Sequence, residues 1–534
     1  MYRYRVLRKC LPIKTWSGPT VQWSRPKTAL VEETAHSAFN KEAPETRRPF
    51  EEIPGPKLWP IVGCFPNYLA NDFKPEQYHK MWQRRFEEYG KESKLVAERV
   101  LHRQWVNVYS PATAKQVFAQ EGEYPKRPQM SLYYLRKEHL GHLGVALENG
   151  ERWKKGRSLW NRKVLRPQSA EDFIPRLNDV VEDFVEHIRQ LAAGGPREVN
   201  GQQLMPGEVP NLLTEIMKSA LEMMGTIALS RRLGGIRPGV DLDLDAHRFM
   251  TENALLWPHS TKLDMSAFQL FRYFPSKTYE AMKGHWLNMC AITAKLMEEY
   301  NDSMKDTLES EEFTGDSAPD VYSYFLAKNT PAKELLGHMQ DLLQVSMDTT
   351  SNSTNLLLYC IASNPRVQEK LYEEVSEVLQ GGRVTANNLK DLRYLKCCVK
   401  ESSRMFMTIP GTSRILDHDI ALNGYNVPKG TYINLCFQTM CRDPDIFEEP
   451  HEYRPERWLD VRKAPDMAFS HLPFGFGPRS CVGRRLVDQE MYIILANLVS
   501  KFRIENLCDS EPDLKWIGIN LTASEPLRLA FHER

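Results

Sequence analysis

The chain is poor in long apolar runs. Nowhere near its N-terminus does it approach the ~18 consecutive apolar residues that a membrane-spanning helix needs, so no N-terminal anchor is expected. It also lacks a charge excess: seventy Lys and Arg against sixty-nine Asp and Glu leave a formal charge of +1, which predicts no global polyanion partner and no nucleic acid. The ten cysteines have neither a secretory leader nor paired spacing, and read as reduced thiols. A local absence is more telling. Met1 to Val31 holds no Asp or Glu but seven basic residues (Arg3, Arg5, Arg8, Lys9, Lys14, Arg25, Lys27) with Ser, Thr and Trp between them, the balance of a mitochondrial presequence, expected over residues 1–35.

Residues 36–52 are polar, mixed in charge and aperiodic, and read as a linker. Ile53 to Gly63 then carries three prolines and two glycines, which preclude a helix and impose a stiff extended turn where a folded domain, 53–534, should start. Beyond it, Phe173–Leu191, Asn211–Leu229, Ser276–Tyr300 and Lys333–Ser363 repeat apolar residues at helical spacing, and Pro365 marks the end of the last. Ala421–Asn434 reads as a hairpin and Trp105–Tyr109 as a strand. Without internal repeats, the economical fold class is one mainly α domain with a minor β portion.

One cysteine stands in an unusual setting. Phe474-Gly-Phe-Gly-Pro-Arg-Ser-Cys481-Val-Gly483 is a loop short of side chains that leads into a helix, so its backbone can lie against a large planar ligand. Gly477 and Gly483 permit positive φ, and the helix N–H groups together with Arg479 favour a thiolate at Cys481. A lone soft sulfur without a second cysteine at zinc spacing suits axial ligation of haem iron; the bland alternative is a buried free cysteine. The run FGFGPRSCVG resembles the haem-binding signature of the cytochrome P450 family, and that resemblance extends over nearly all of 53–534. It implies haem b bound through Cys481, with Phe474 and Gly483 beside it, in a single haem-thiolate domain.

Val345-Ser-Met-Asp-Thr-Thr350 puts an acid before two hydroxyl residues in mid-helix, where such side chains compete for backbone bonds and loosen the turn. Reductive cleavage of O2 consumes two protons, and an acid beside an alcohol can relay them, which makes Asp348 and Thr349 the catalytic candidates. The family's motif has small residues where this chain has Val345 and Ser346, so a narrowed groove is expected. Glu401 and Arg404 share a helical face, usually only surface decoration. By the resemblance they join Arg457 in a network that braces the cysteine loop. The resemblance likewise implies that Trp153, Arg157, Arg414 and Arg479 face the haem propionates. It implies, too, that Lys396, Lys400, Arg484 and Arg485 form a cationic proximal face for an iron-sulfur ferredoxin of the adrenodoxin type.

Phe268 to Pro275 with Ser276–Tyr300 is expected to form a lid region with an apolar loop able to rest on the inner mitochondrial membrane, matrix side, core packing being the rival reading. The resulting expectation is a mitochondrial monooxygenase that inserts one atom of O2 into a lipophilic substrate, a steroid or sterol-like molecule, with NADPH electrons passed through ferredoxin reductase and ferredoxin. A xenobiotic substrate is the nearest alternative. A haem-thiolate isomerase or dehydratase without O2 would keep Cys481 but need no Asp348–Thr349 pair, and a haem sensor would have little use for a basic proximal face.

Overall fold

The computed structural model describes residues 47–534 except 71–73, 142, 200, 237–242, 267–268, 275, 310–312, 316–317 and 460–468. The expected presequence lies outside the described residues, as do Phe268 and Pro275. The last residues assigned to the linker are instead part of the fold. Phe50 is buried, and Arg48 exchanges backbone bonds with Gly424 and Asn426 at 3.0 and 2.8 Å while its guanidinium covers the Tyr425 ring.

The principal helices in chain order are α1 (Ser131–His139), α2 (Gly150–Lys163), α3 (Ile174–Ala192), α4 (Leu212–Leu229), α5 (Leu244–Asp264) and α6 (Lys277–Ser303). A long rod, α7, follows, in which Ala332–Gln340, the π-turn Asp341–Val345 and Ser346–Ala362 run on without a break. Helices α8 (Pro365–Leu379), α9 (Arg393–Met405) and α10 (Arg484–Lys501) complete the set. Leu177, Val181, Phe184 and Ile188 give α3 one apolar stripe facing the core. Helix α4 is buried on nearly every side and packs along α7, as a central helix must. The long helix stops ahead of Pro365 as expected: α7 ends at Ala362, Asn364 before the proline has left the helical region, and Pro365 occupies the first turn of α8, where its missing N–H is not needed.

The main sheet has four short strands, β1 (Leu95–Val100), β2 (Arg103–Val108), β3 (Thr412–Ile415) and β4 (Tyr432–Leu435), in the order β1-β2-β4-β3. Strands β2 and β4 are parallel, Trp105 opposite Tyr432, and the other pairs are antiparallel. The single hairpin expected over Ala421–Asn434 is therefore divided. Ile420–Leu422 and Tyr425–Val427 form a hairpin of their own, whereas Tyr432–Leu435 crosses into the main sheet. Pro428, which has no N–H to donate, and Gly430, at φ +81°, separate the two. The sheet and the helical body enclose a central cavity of about 1100 Å³, to which α1, α2, α5, α7 and the cysteine loop all contribute.

Candidate functional site

The cysteine loop folds by backbone necessity. Gly475 and Gly477 take φ of +67° and +71°, and a Cβ at Gly477 would run into the Glu121 carboxylate. Gly483 departs from expectation: its φ is −86°, and it caps α10. A Cβ there would sit 3.9 Å from the Cys481 sulfur, an ordinary contact, so neither φ nor crowding in the protein itself requires glycine at this position. The Cys481 N–H donates to Phe474 O at 2.8 Å, closing the loop, and Phe474 lines the cavity. Of the nine described cysteines, Cys481 is the one that lines the cavity, and its side chain opens into it. Burial away from bulk water raises its thiol; the Gly483 N–H, Arg157 and Arg127 pull the other way. Burial outweighs the helix N-terminus, so a thiolate here needs a further positive charge.

Three arginines converge beside this loop with little negative charge to meet them. Arg157 of α2 donates to the Ser480 carbonyl and, at 2.7 Å, to Asn161. Arg479 lies over the Trp153 ring at 4.0 Å and donates to Pro125 O, Glu148 O and Asn149 Oδ1, but its buried Nη1 has no partner. Arg127 donates to Arg479 O at 2.8 Å and leaves its buried Nε unpartnered. Burial pushes Arg157 down to about 10; burial and then the neighbouring arginines push Arg127 to about 9 and Arg479 to about 8. A guanidinium in a protein keeps its proton, so these depressions measure missing counter-charge. Two carboxylates entering the cavity would supply it, which is what the propionates of haem carry; the donor set fits that group. Arg414 stands behind the same cluster, its charge felt by both Arg127 and Arg479. It is fully buried, pairs with Glu121, donates to Thr412 and Ser413, and is not among the residues lining the cavity.

On the opposite wall stands α7. The π-turn Asp341–Val345 ends just before Ser346 and widens the helix there, and Val345 and Ser346 both line the cavity. Ser346 donates to Leu342 O and Thr349 to Val345 O at 3.0 Å, so two hydroxyls face the cavity next to loosened carbonyls. Asp348 points away from the cavity. It is buried against α5, accepts from Asn253 at 2.8 and 2.9 Å and from the Trp257 indole, and burial lifts it to about 6. Trp257 itself lines the cavity, so the acid communicates with it through an indole. Two buried pairs escaped sequence reasoning: Arg136–Asp341 at 2.5 Å, and Thr350 donating to Glu490 of α10 at 3.2 Å.

Behind the loop, Glu401, fully buried on α9, accepts from Arg404 at 2.8 and 3.0 Å, Arg457 at 2.8 Å and Trp458 at 2.8 Å. Arg404 also ties down the carbonyls of Cys441, Pro450 and Glu452, which makes the trio a scaffold. Lys400, Arg484 and Arg485 are exposed and gather around Asp488, which burial raises to about 6 against their pull. Lys396 stands apart from this group, half-buried, donating to Lys390 O at 3.4 Å among Glu374, Asp391 and Arg393.

Comparison with known proteins agrees with this geometry. The cytochrome P450 family model matches residues 53–529. Similar proteins include cytochrome P450 10 of Lymnaea stagnalis, 30% identical over 91% of this chain and 86% of its own length. Mitochondrial sterol 26-hydroxylase of Mus musculus is 30% identical over 80% of each chain. Human mitochondrial 25-hydroxyvitamin D-1 alpha hydroxylase is 31% identical over 75% of this chain and 78% of its own.

Proposed function

The chain belongs to the cytochrome P450 family of haem-thiolate monooxygenases, and from that premise we propose that it hydroxylates a sterol-like lipid in the mitochondrion with electrons from a ferredoxin. One observation carries the site assignment: a single cysteine, Cys481, lines a large cavity beside three arginines that lack counter-charge. Haem, when bound, supplies the redox-active iron at which O2 is reduced and one oxygen atom is inserted into a C–H bond; the other leaves as water, with two electrons and two protons consumed.

The chain's own residues do the rest. Cys481 would ligate the iron and Arg127, Arg157 and Arg479 would hold the propionates, with Trp153 keeping Arg479 in place by its ring face. Thr349 and Ser346 present hydroxyls on the oxygen side, while Asp348, lifted to about 6, exchanges protons near neutral pH from behind the helix. Lys400, Arg484 and Arg485 form a cationic patch that would steer an acidic ferredoxin; Lys396 lies at its margin. Support for a sterol-like substrate comes from the relatives and from the apolar walls of the cavity, to which Leu132, Val145, Leu342, Phe406 and Ile519 contribute.

Among the described residues no helix is long and apolar enough to cross a membrane. Leu58, Trp59, Ile61 and Leu69 are exposed, as are Leu270, Tyr273 and Phe274, and both neighbourhoods also send side chains into the cavity. Resting those two patches on the inner membrane would open the cavity to bilayer lipids.

The test is spectroscopic and functional. The reduced carbon monoxide complex should show the red-shifted Soret band of thiolate ligation, and Cys481→Ser should abolish it; an unchanged band in the variant sinks the ligand assignment. Turnover that proceeds without O2 or without a ferredoxin chain would favour an isomerase or dehydratase.

A further inference from the structure

Charge pairing within the cavity separates its arginines by task. Seven cationic side chains line it, against the carboxylates of Asp264 and Asp341 alone. Both acids are satisfied from within: Asp341 by Arg136 and the Ala146 N–H, Asp264 by the Ser131 N–H at 2.5 Å and the Ser260 hydroxyl at 3.0 Å. Of the cations, Arg136 is thereby used, and Arg127, Arg157 and Arg479 attend the Cys481 loop. Lys126 stands 4.0 Å from Asp417. Arg103 and Arg272 are left, with no carboxylate partner among the described residues.

These two share a neighbour in Tyr134. Arg272 stacks on the Tyr134 ring at 4.6 Å, and the Tyr134 hydroxyl, which donates to Gln129 at 3.0 Å, feels the charge of both Arg272 and Arg103. Arg103 opens β2, two residues before Trp105 and on the same face of the strand, and Tyr432 stands across from Trp105 on β4. Arg272 follows exposed Leu270 on the segment between α5 and α6. Arg272 is exposed and Arg103 half-buried, so these arginines, with the tyrosines and the glutamine, stand where the cavity meets solvent. A guanidinium fork is the side chain best matched to a carboxylate or sulfate, and at the edge of a low-dielectric cavity such a pair is strengthened.

We propose that the substrate is an amphipathic lipid with an anionic head, a carboxylate or a sulfate ester, held by Arg103 and Arg272 at the cavity mouth while its hydrocarbon body reaches toward Cys481. The proposal rests on the lipid hydroxylase reading and narrows its substrate class. Tyr134 and Gln129 supply further hydrogen bonds to the head. Orientation follows from this arrangement: oxidation falls on the end of the lipid remote from its charge.

The experiment uses the holoenzyme and two ligand pairs that differ only at the head: cholesterol with cholesteryl sulfate, and hexadecanol with hexadecanoate. Affinities are read by equilibrium dialysis and by the substrate-induced spin-state shift. The expected result is that the anionic member binds about tenfold tighter at low salt, the scale of a charge-assisted fork at a half-exposed site. That ratio should fall to near one in the Arg103→Gln, Arg272→Gln double variant and be largely retained in Arg103→Lys. A wild-type ratio near one overturns the proposal, and so does a ratio that survives in the double variant, even where that variant binds cardiolipin vesicles less tightly, since the arginines would then serve the membrane. If the sterol pair is silent and the straight-chain pair discriminates, the anionic head stands and the sterol body falls. If neither pair binds, both readings fall.

Discussion

Replacing Glu490 by Gln should make the protein more resistant to unfolding, and progressively so as pH rises. Glu490 is fully buried on α10; one carboxyl oxygen accepts from Thr350 at 3.2 Å and the other has no partner. Burial raises the group from 4.5 to about 8, with Thr350 pulling slightly back. Between those two values the folded chain holds a proton that the unfolded chain has released. Stability therefore falls as pH rises through the window, by up to ~1.4 kcal/mol per pH unit. From pH 5 to pH 9 the wild type should lose at most ~4 kcal/mol through this one side chain, a large fraction of a domain's net stability. Glutamine has no proton to lose and can still accept from Thr350. The assay is denaturant unfolding of the holoenzyme at unit steps from pH 5 to 9, comparing variant with wild type at each step. The difference should widen in favour of the variant through that range. Parallel profiles, with any constant offset, would refute the reasoning, because they would mean that Glu490 ionises in the folded state as freely as in the unfolded one.

On the oxygen side, Thr349→Ala should divert electrons into peroxide and lower product per NADPH several-fold, while Asp348→Asn should slow turnover and remove an inflection near pH 6 from the rate profile. Undiminished coupling in Thr349→Ala would transfer the relay to Ser346. On the proximal surface, charge reversal at Lys400, Arg484 or Arg485 should raise the ferredoxin KM at low ionic strength, an effect that fades once the Debye length falls below about 8 Å. Lys396→Glu should do less, given its acidic surroundings; equal effects at Lys396 and Lys400 would contradict the separation of the two.

What could be read from the sequence was whatever backbone geometry or helical spacing encodes. The cysteine loop needs glycine at positions with positive φ, and Glu401 and Arg404 meet simply by standing three residues apart on α9. Long-range pairing was not legible. Glu121, the buried partner of Arg414, lies 293 residues away, and nothing local distinguishes it from a solvated acid. Arg127 was missed for the same reason: its importance lies in being buried beside other cations, which is a tertiary property. The direction of Asp348 was hidden by the π-turn Asp341–Val345, whose extra residue rotates the faces of the first part of α7 relative to the rest by about 100°. Strand Tyr432–Leu435 was misassigned because its partner, Arg103–Val108, is remote in sequence and the nearer candidate was a plausible hairpin mate.

A net charge of +1 conceals three local excesses of cation, and burial decides what each can do. Arg127, Arg157 and Arg479 are withdrawn from water, so each unpaired guanidinium there costs several kcal/mol until an anion arrives, and the site is committed to a permanent negative partner. Arg103 and Arg272 stand at the margin between solvent and cavity, where a charge can wait solvated and still discriminate when a lipid displaces the water; this suits a ligand that must leave after turnover. Lys400, Arg484 and Arg485 lie in open water, where a single ion pair is worth under about 1 kcal/mol and acts mainly on encounter rate, which suits the transient docking proposed for them. The lifetime of each anionic partner thus follows from how far its cations have been taken out of solvent.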